Sequence, residues 1–218
     1  MSMIVKKFLI ASGNSTALVY DCPIADRNKT SKKLLKEVEQ VGFVSTKATL
    51  PKLIMMGGEL CINATLALAS TLDKNGKLAT SGLKNPIPYS NKNGSTTIQI
   101  PFKFKQYKNV ILLDGIGFIL YDTKEKSEVK KSELSNLSKK YKLPAFGGII
   151  YNNKNKIIPY VYVAGVNSFV KETACGSGSV AFSIFSGIKN VVQPTEKIIS
   201  IRKKTEFFDI SAKVTSYD

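Results

Sequence analysis

Two runs of this chain set a cysteine just ahead of small polar residues and an apolar stretch: MGGELCINATLALA around Cys61 and VKETACGSGSVAFS around Cys175. The apolar stretches read as buried helices, so each sulfur is expected at a helix N-terminus. Free backbone N–H groups and the positive end of the dipole favour an anion there. A thiol in that setting is expected to be more acidic than a free cysteine, whose pKa is about 8.5. The flanking glycines let backbone approach a ligand, and successive N–H groups form an anion nest. A single cysteine of this kind reads as core packing, because free cysteine is often buried. Two of them in matching loops point to chemistry, either as a redox pair or as a pair of proton-transfer groups. Cys22, in the run Tyr20-Asp21-Cys22-Pro23, lacks this setting and reads as structural.

The chain has 218 residues and no histidine. That removes Ser-His-Asp and Cys-His hydrolases, imidazole acid–base chemistry and histidine-bound zinc. Three scattered cysteines without a CxxC make neither a disulfide framework nor a zinc cluster, so no metal is expected. Moving a proton from one face of an amino acid's α-carbon to the other needs a base and an acid flanking a planar carbanion. Each such group contributes about 10²–10⁴-fold. Two thiols suit those roles, and helix N-termini supply N–H donors for charge developing on the carboxylate. There is no Walker motif, no GxGxxG after a strand and no recognisable pyridoxal-phosphate lysine site, so no cofactor is expected.

Periodicity supplies the elements that must position these residues. Strands are predicted over 4–10, 16–20, 42–45 and 53–56, with a turn at 12–15 and an amphipathic helix over 31–41 closed by Gly42. Gly57-Gly58 breaks the chain before a buried helix over 62–72. Further strands are predicted near 77–80, 96–101, 109–113 and 117–121. The second half repeats the grammar: a helix over 132–141, strands over 146–152 and 157–163, the Cys175 loop, a buried helix over about 179–188, and strands near 196–201 and 207–214. Two similar α+β lobes joined near Asp114 follow, residues 1–114 with Cys61 and residues 115–218 with Cys175.

Thirty-two basic against 16 acidic side chains give a formal charge of +16. Residues 1–114 carry +9 and residues 115–218 carry +7, so no basic tail or arm exists. Lysine outnumbers arginine thirty to two, which argues against specific readout of bases and phosphates. No specific nucleic-acid partner and no membrane partner is expected. No apolar run approaches the ~18 residues of a membrane span. The opening MSMIVKKFLIASGNS has too short an apolar stretch to predict a signal peptide, and a cytoplasmic setting is expected.

The residues resemble the diaminopimelate epimerase-like, cofactor-independent amino-acid racemases, most closely the histidine-racemase branch. The likeness rests on Phe8–Asp21 (FLIASGNSTALVYD), on Glu39–Ser70 with the Gly-Gly-Glu before Cys61, on Glu172–Ala181 (ETACGSGSVA), and on Asp114-Gly115-Ile116 at the crossover. It implies an α+β fold of two pseudo-symmetric lobes, each a mainly antiparallel sheet wrapped around a central hydrophobic helix. It implies an isomerase with Cys61 and Cys175 as its acid/base pair and a homodimeric assembly. Asn14, Asn63, Gly176 and Ser177 would hold the α-carboxylate and α-amino group; taken alone, the two asparagines read as turn or cap residues. Cys61-Ile62-Asn63-Ala64 replaces the Cys-Gly-Asn-Gly of the diaminopimelate enzymes, and Asn167-Ser168 stands where they carry Glu-Arg. Diaminopimelate is therefore not the expected substrate. The crossover histidine common in that family falls on Gly117 or Phe118. A different isomerase on the same fold, proline-racemase-like or phenazine-type, and a non-catalytic lysine-rich binding protein are the alternatives.

Overall fold

The apolar, β-branched run near the start forms a hairpin: β1 (Ile4–Ile10) pairs antiparallel with β2 (Gly13–Tyr20) across Ala11 and Ser12. The computed structural model describes residues 4–46 and 49–218. Asn14, expected in the turn, instead lies inside β2 with a left-handed φ of 29°. A register shift between Leu9 and Ile10 accompanies this early start.

The chain continues through α1 (Arg27–Leu34), β3 (Gln40–Ser45) and β4 (Lys52–Met55). The helix thus ends well before residue 41, and Gln40 and Val41 belong to a strand. Pairing is the reason: β3 runs parallel to β2, and the Glu39 N–H donates to the Ser15 carbonyl at 3.0 Å. The sheet overrides a helical period that local sequence favours. The apolar face survives the change, because Leu34, Val38, Val41 and Phe43 pack with Ala17 and Val19 in one cluster. Gly42, expected to stop a helix, sits in mid-strand, where a Cβ would stand 2.6 Å from Leu53 Cδ1.

Next come α2 (Ile62–Ser70), β5 (Asn75–Thr80), β6 (Ile87–Lys92) and β7 (Ser95–Ile100). α2 is buried from Ile62 to Ala69, and a helix apolar on every side must be covered on every side. Strands β1 to β4, β6 and β7 all touch it. Its small side chains let them close in. At its far end the Asn91 amide donates to Ala69 O, Leu72 O and Asp73 O at 2.8, 3.2 and 3.0 Å, satisfying carbonyls the helix leaves over. β6 escapes sequence reading because only Ile87 and Tyr89 in it are buried.

The second unit runs β8 (Phe104–Tyr107), β9 (Val110–Leu113), β10 (Ile116–Asp122), α3 (Lys131–Tyr141), β11 (Ala145–Tyr151), β12 (Ile157–Val163) and β13 (Ser168–Lys171). These strands form one sheet in the order β13-β12-β11-β10-β9-β8, antiparallel except where β10 meets β11. α4 (Gly176–Ser186) and the pair β14 (Asn190–Val192) and β15 (Ile198–Lys203) follow. α4 packs on β9, β10, β11, β14 and β15, while α3 packs on β11 and β12. Val129, Leu134, Phe146 and Ile150 share a core cluster there. The grammar of the first unit recurs: β2–α1–β3 and β10–α3–β11 are both parallel pairs joined through a helix. In each unit an antiparallel strand comes next, then a cysteine, then a hydrophobic helix.

The chain then returns to the first unit as β16 (Phe208–Ala212) and β17 (Val214–Tyr217), where one strand over 207–214 was expected. β17 pairs antiparallel with β1, and β16 lies beside β7 with the Thr97 and Ser211 hydroxyls 2.8 Å apart. The units therefore divide at Ile100/Pro101 and again at Phe208/Asp209, not at Asp114. Asp114-Gly115 is the tight turn between β9 and β10, with Gly115 at φ 83°, and cannot separate two strands that pair with each other. Among the described residues no helix is long and apolar enough to cross a membrane.

Candidate active site

Each cysteine stands where its sequence suggests. Cys61 is the N-cap residue of α2, and its Sγ accepts the Ala64 N–H at 3.3 Å. Cys175 is the N-cap of α4, and its Sγ accepts the Gly178 N–H at 3.2 Å. α4 begins three residues before the expected position, since Gly176-Ser177-Gly178 forms its first turn rather than a loop. The residue four places after each cysteine carries a hydroxyl that bonds back to it. Thr65 Oγ1 donates to Cys61 O at 2.6 Å, and Ser179 Oγ donates to Cys175 O at 2.7 Å. The C-x-x-x-[Thr/Ser] spacing common to the two runs is a legible signal for this tie.

The two sulfurs differ in surroundings. Cys61 is half-buried and donates to Gln40 Oε1 at 2.9 Å. The loop before it is pinned by Ser81, which accepts the Met55 N–H at 3.0 Å and donates to Glu59 O at 2.7 Å. Gly82, at φ 80°, passes so close that a Cβ would lie 2.5 Å from Leu60 N. Cys175 is buried, with Ser177 Oγ 3.7 Å from its sulfur. Burial pushes the Cys175 thiol well up, and the adjacent Glu172 carboxylate pushes it further in the same direction. The Gly178 N–H and Ser177 hydroxyl oppose this and are outweighed. The more acidic thiol expected at this helix end is thus not found at Cys175: removal from water and a neighbouring negative charge exceed the benefit of the helix N-terminus. Replacing Glu172 by Gln is expected to lower the pH midpoint of Cys175 alkylation, read by peptide mass spectrometry across a pH series. An unchanged or raised midpoint would contradict the assigned role of the carboxylate.

The other candidates fall into two groups. Asn63 is buried in the first turn of α2, two residues from Cys61. Asn14 is fully buried in β2; its Nδ2 donates to Glu39 at 3.2 Å and its Oδ1 accepts from Thr16 at 3.1 Å. Thr16 is the register partner of Gln40, whose side chain meets Cys61, so Asn14 and Cys61 are joined through two strands of one sheet. Gly176 and Ser177 are the first two residues of α4, directly after Cys175. Gln40, Glu39 and Glu172 were not singled out by sequence reading, although all three lie inside the runs that carry the family likeness. Cys22 is buried beside α1 with Ala17, Leu34 and Phe43, as a structural residue would be.

The positions that depart from the diaminopimelate enzymes are also resolved. Asn167 has a left-handed φ of 50°, and its carbonyl accepts Lys131 Nζ at 2.9 Å; Ser168 opens β13. Gly117 and Phe118 are in β10; Phe118 is wholly buried, and a Cβ on Gly117 would stand 2.4 Å from the Phe146 ring. A histidine at Gly117 does not fit without displacing the Phe146 ring.

Comparison with known proteins places the chain as a whole. A curated histidine racemase of Fusobacterium nucleatum subsp. nucleatum is 31% identical over 208 residues, covering 80% of this chain and 77% of the relative. The chain belongs to this family of amino-acid racemases. A second histidine racemase, from another strain of that organism, is 29% identical over 237 residues, covering 90% of the racemase described here and 89% of the relative. No protein-family model matches the chain. Among solved structures, a PhzC/PhzF-type phenazine biosynthesis protein of Clostridium difficile superposes with a TM-score of 0.68 at 12% identity, covering 100% of this racemase and 98% of that chain. A protein from Agrobacterium radiobacter assigned as a proline racemase gives 0.60 at 8% identity, covering 99% and 91%. These two share the diaminopimelate epimerase-like fold of sheet-rich lobes; at such identities the likeness concerns fold alone. The racemase is accordingly an isomerase of the α+β class that the two cysteine loops suggested.

Proposed function

We propose that this racemase inverts the α-carbon of an amino acid by a 1,1-proton transfer in which Cys61 and Cys175 are the catalytic residues. One thiolate takes the α-proton and becomes S–H. The C–H electron pair stays on the α-carbon and spreads into the carboxylate as a planar carbanion. The other thiol gives its proton to the opposite face and becomes the thiolate, so atoms and electrons balance without an oxidant or cofactor. The opposite enantiomer exchanges the roles, and the thiols titrate as a coupled pair.

The observation that carries this reading is the repeated placement of a sulfur as the N-cap of a buried helix, accepting a backbone N–H in both units. Burial and the Glu172 carboxylate favour the thiol form of Cys175, which suits the proton-donating role for it. The Gln40 amide beside Cys61 offers both donors and an acceptor, and so suits either protonation state of that sulfur. Asn14, Asn63, Gly176 and Ser177 hold the substrate's α-carboxylate and α-amino group. The positive N-terminal ends of α2 and α4 are suited to the carboxylate. Histidine is the first substrate to examine, because it names the curated relatives. Two working thiols require a reducing setting, which the cytoplasm supplies, and a homodimer is the expected assembly.

The test is incubation with single L-amino acids in D₂O, beginning with L-histidine. Loss of the α-proton signal by NMR, together with the D-enantiomer on a chiral column, is the expected result. Absence of exchange with every amino acid would overturn the reading.

A further inference from the structure

Gln193 is a fully buried polar residue just after β14, 18 residues beyond Cys175. Its side chain is fully used. Oε1 accepts the Cys175 N–H at 3.0 Å, and Nε2 donates to Ser179 Oγ at 2.9 Å and to Val191 O at 3.1 Å. Ser179 Oγ in turn donates to Cys175 O at 2.7 Å. One amide therefore holds the peptide groups on both sides of Cys175, the first directly and the second through Ser179. With both peptides held, φ and ψ of Cys175 are set at −136° and 108°, and the direction of its Cα–Cβ bond follows. In the other unit the matching hydroxyl, Thr65 Oγ1, lies 3.2 Å from Thr80 Oγ1, so a hydroxyl occupies the supporting place that Gln193 fills here.

We propose that Gln193 is a positioning residue for the reaction: it aims the Cys175 thiol at the α-carbon and contributes to turnover without contributing to substrate binding. This inference rests on the reading that Cys175 transfers the α-proton. The geometry calls for a side chain that accepts from one group and donates to another. Methionine has the length and neither function. An ionised glutamate accepts but cannot donate, and its charge lies near the thiol. A protonated glutamate restores both functions.

The experiment compares Gln193→Met, Gln193→Glu and Cys175→Ala with the parent enzyme. Kinetics of L-histidine racemisation and Cys175 alkylation by iodoacetamide are followed from about pH 9 to about pH 6, where a buried carboxyl group titrates. Gln193→Met is expected to lose about 10²-fold in kcat, the scale for a misaimed reacting group, with KM unchanged. For Gln193→Glu the ratio of kcat to that of the parent is expected to rise as the pH falls. The ratio of Cys175 alkylation rates should return towards one over the same range. Glu172 is common to both proteins, whereas an ionised carboxylate at position 193 also raises the Cys175 thiol; the uncharged Gln193→Met separates that electrostatic effect from loss of aim. A folded Gln193→Met with full kcat overturns the inference, as does an effect on KM alone. If that variant fails to fold, Gln193→Glu decides: ratios flat with pH overturn the proposal. Activity retained by Cys175→Ala would instead remove the underlying reading, and the alkylation ratio then still reports on whether Gln193 sets the thiol.

Discussion

Cys61→Ala and Cys175→Ala are each expected to abolish racemisation, a loss of at least about 10²–10⁴-fold for removing one positioned proton-transfer group. The two variants are expected to differ in how they fail. A protein that keeps one thiol can still lift a proton from the enantiomer facing it and return one from solvent to the same face. Each variant should therefore exchange the α-proton of one enantiomer for deuterium while leaving its configuration intact. NMR of each pure enantiomer in D₂O, followed by chiral chromatography, separates exchange from inversion. Full racemisation by either variant would end the two-thiol mechanism. Equal exchange of both enantiomers by one variant would show that the remaining thiol serves both faces.

Gly178→Val is expected to lower kcat by about 10²-fold, because a small misplacement of a reacting atom is enough for such a loss. Gly178 supplies the N–H that meets the Cys175 sulfur at 3.2 Å. A Cβ at this position would lie 3.0 Å from that same sulfur and 3.3 Å from Ile149 Cδ1. Valine adds two methyl groups behind that Cβ, so the thiol or the strand must move. Overpacking of this kind costs about 1–3 kcal/mol, which urea denaturation will register as a lower midpoint in a protein that still folds. Alanine in the same place adds the Cβ alone and should fall between valine and the parent in both measurements. Unchanged kcat in a folded valine variant would mean that the close N–H contact does not hold the sulfur.

Much of this protein was legible before its structure because the relevant physics is local. An apolar stretch that begins directly after Cys61 reads as a helix with that cysteine at its start, whereas after Cys175 the helix was legible but its first turn, Gly176-Ser177-Gly178, was not. The absence of histidine left the thiols as the candidates for acid–base work by composition alone. The repeat of strand, amphipathic helix, strand, cysteine and hydrophobic helix appeared in both halves because each helix and strand carries its own period.

Tertiary structure decided what depends on partners distant in sequence. SKKLLKEVEQV has a helical period throughout, yet β2 captures its last residues into a parallel strand, a competition that no single segment can express. Asp114 looked like a boundary because a turn and a boundary share the same residues. It is a turn because β9 pairs with β10, and the closing residues rejoin the first unit through β1. Acidity at Cys175 was misjudged because the helix end is visible in sequence, whereas burial and the Glu172 carboxylate act through space. Gln193 is the clearest case: 18 residues from Cys175, it is one polar residue among many until the fold buries it against that cysteine's peptide. Residue types alone name two sulfurs as candidate proton carriers and set each near the start of a helix; their aim and their hold on a proton come from the folded chain, because both are set by neighbours and by the exclusion of water.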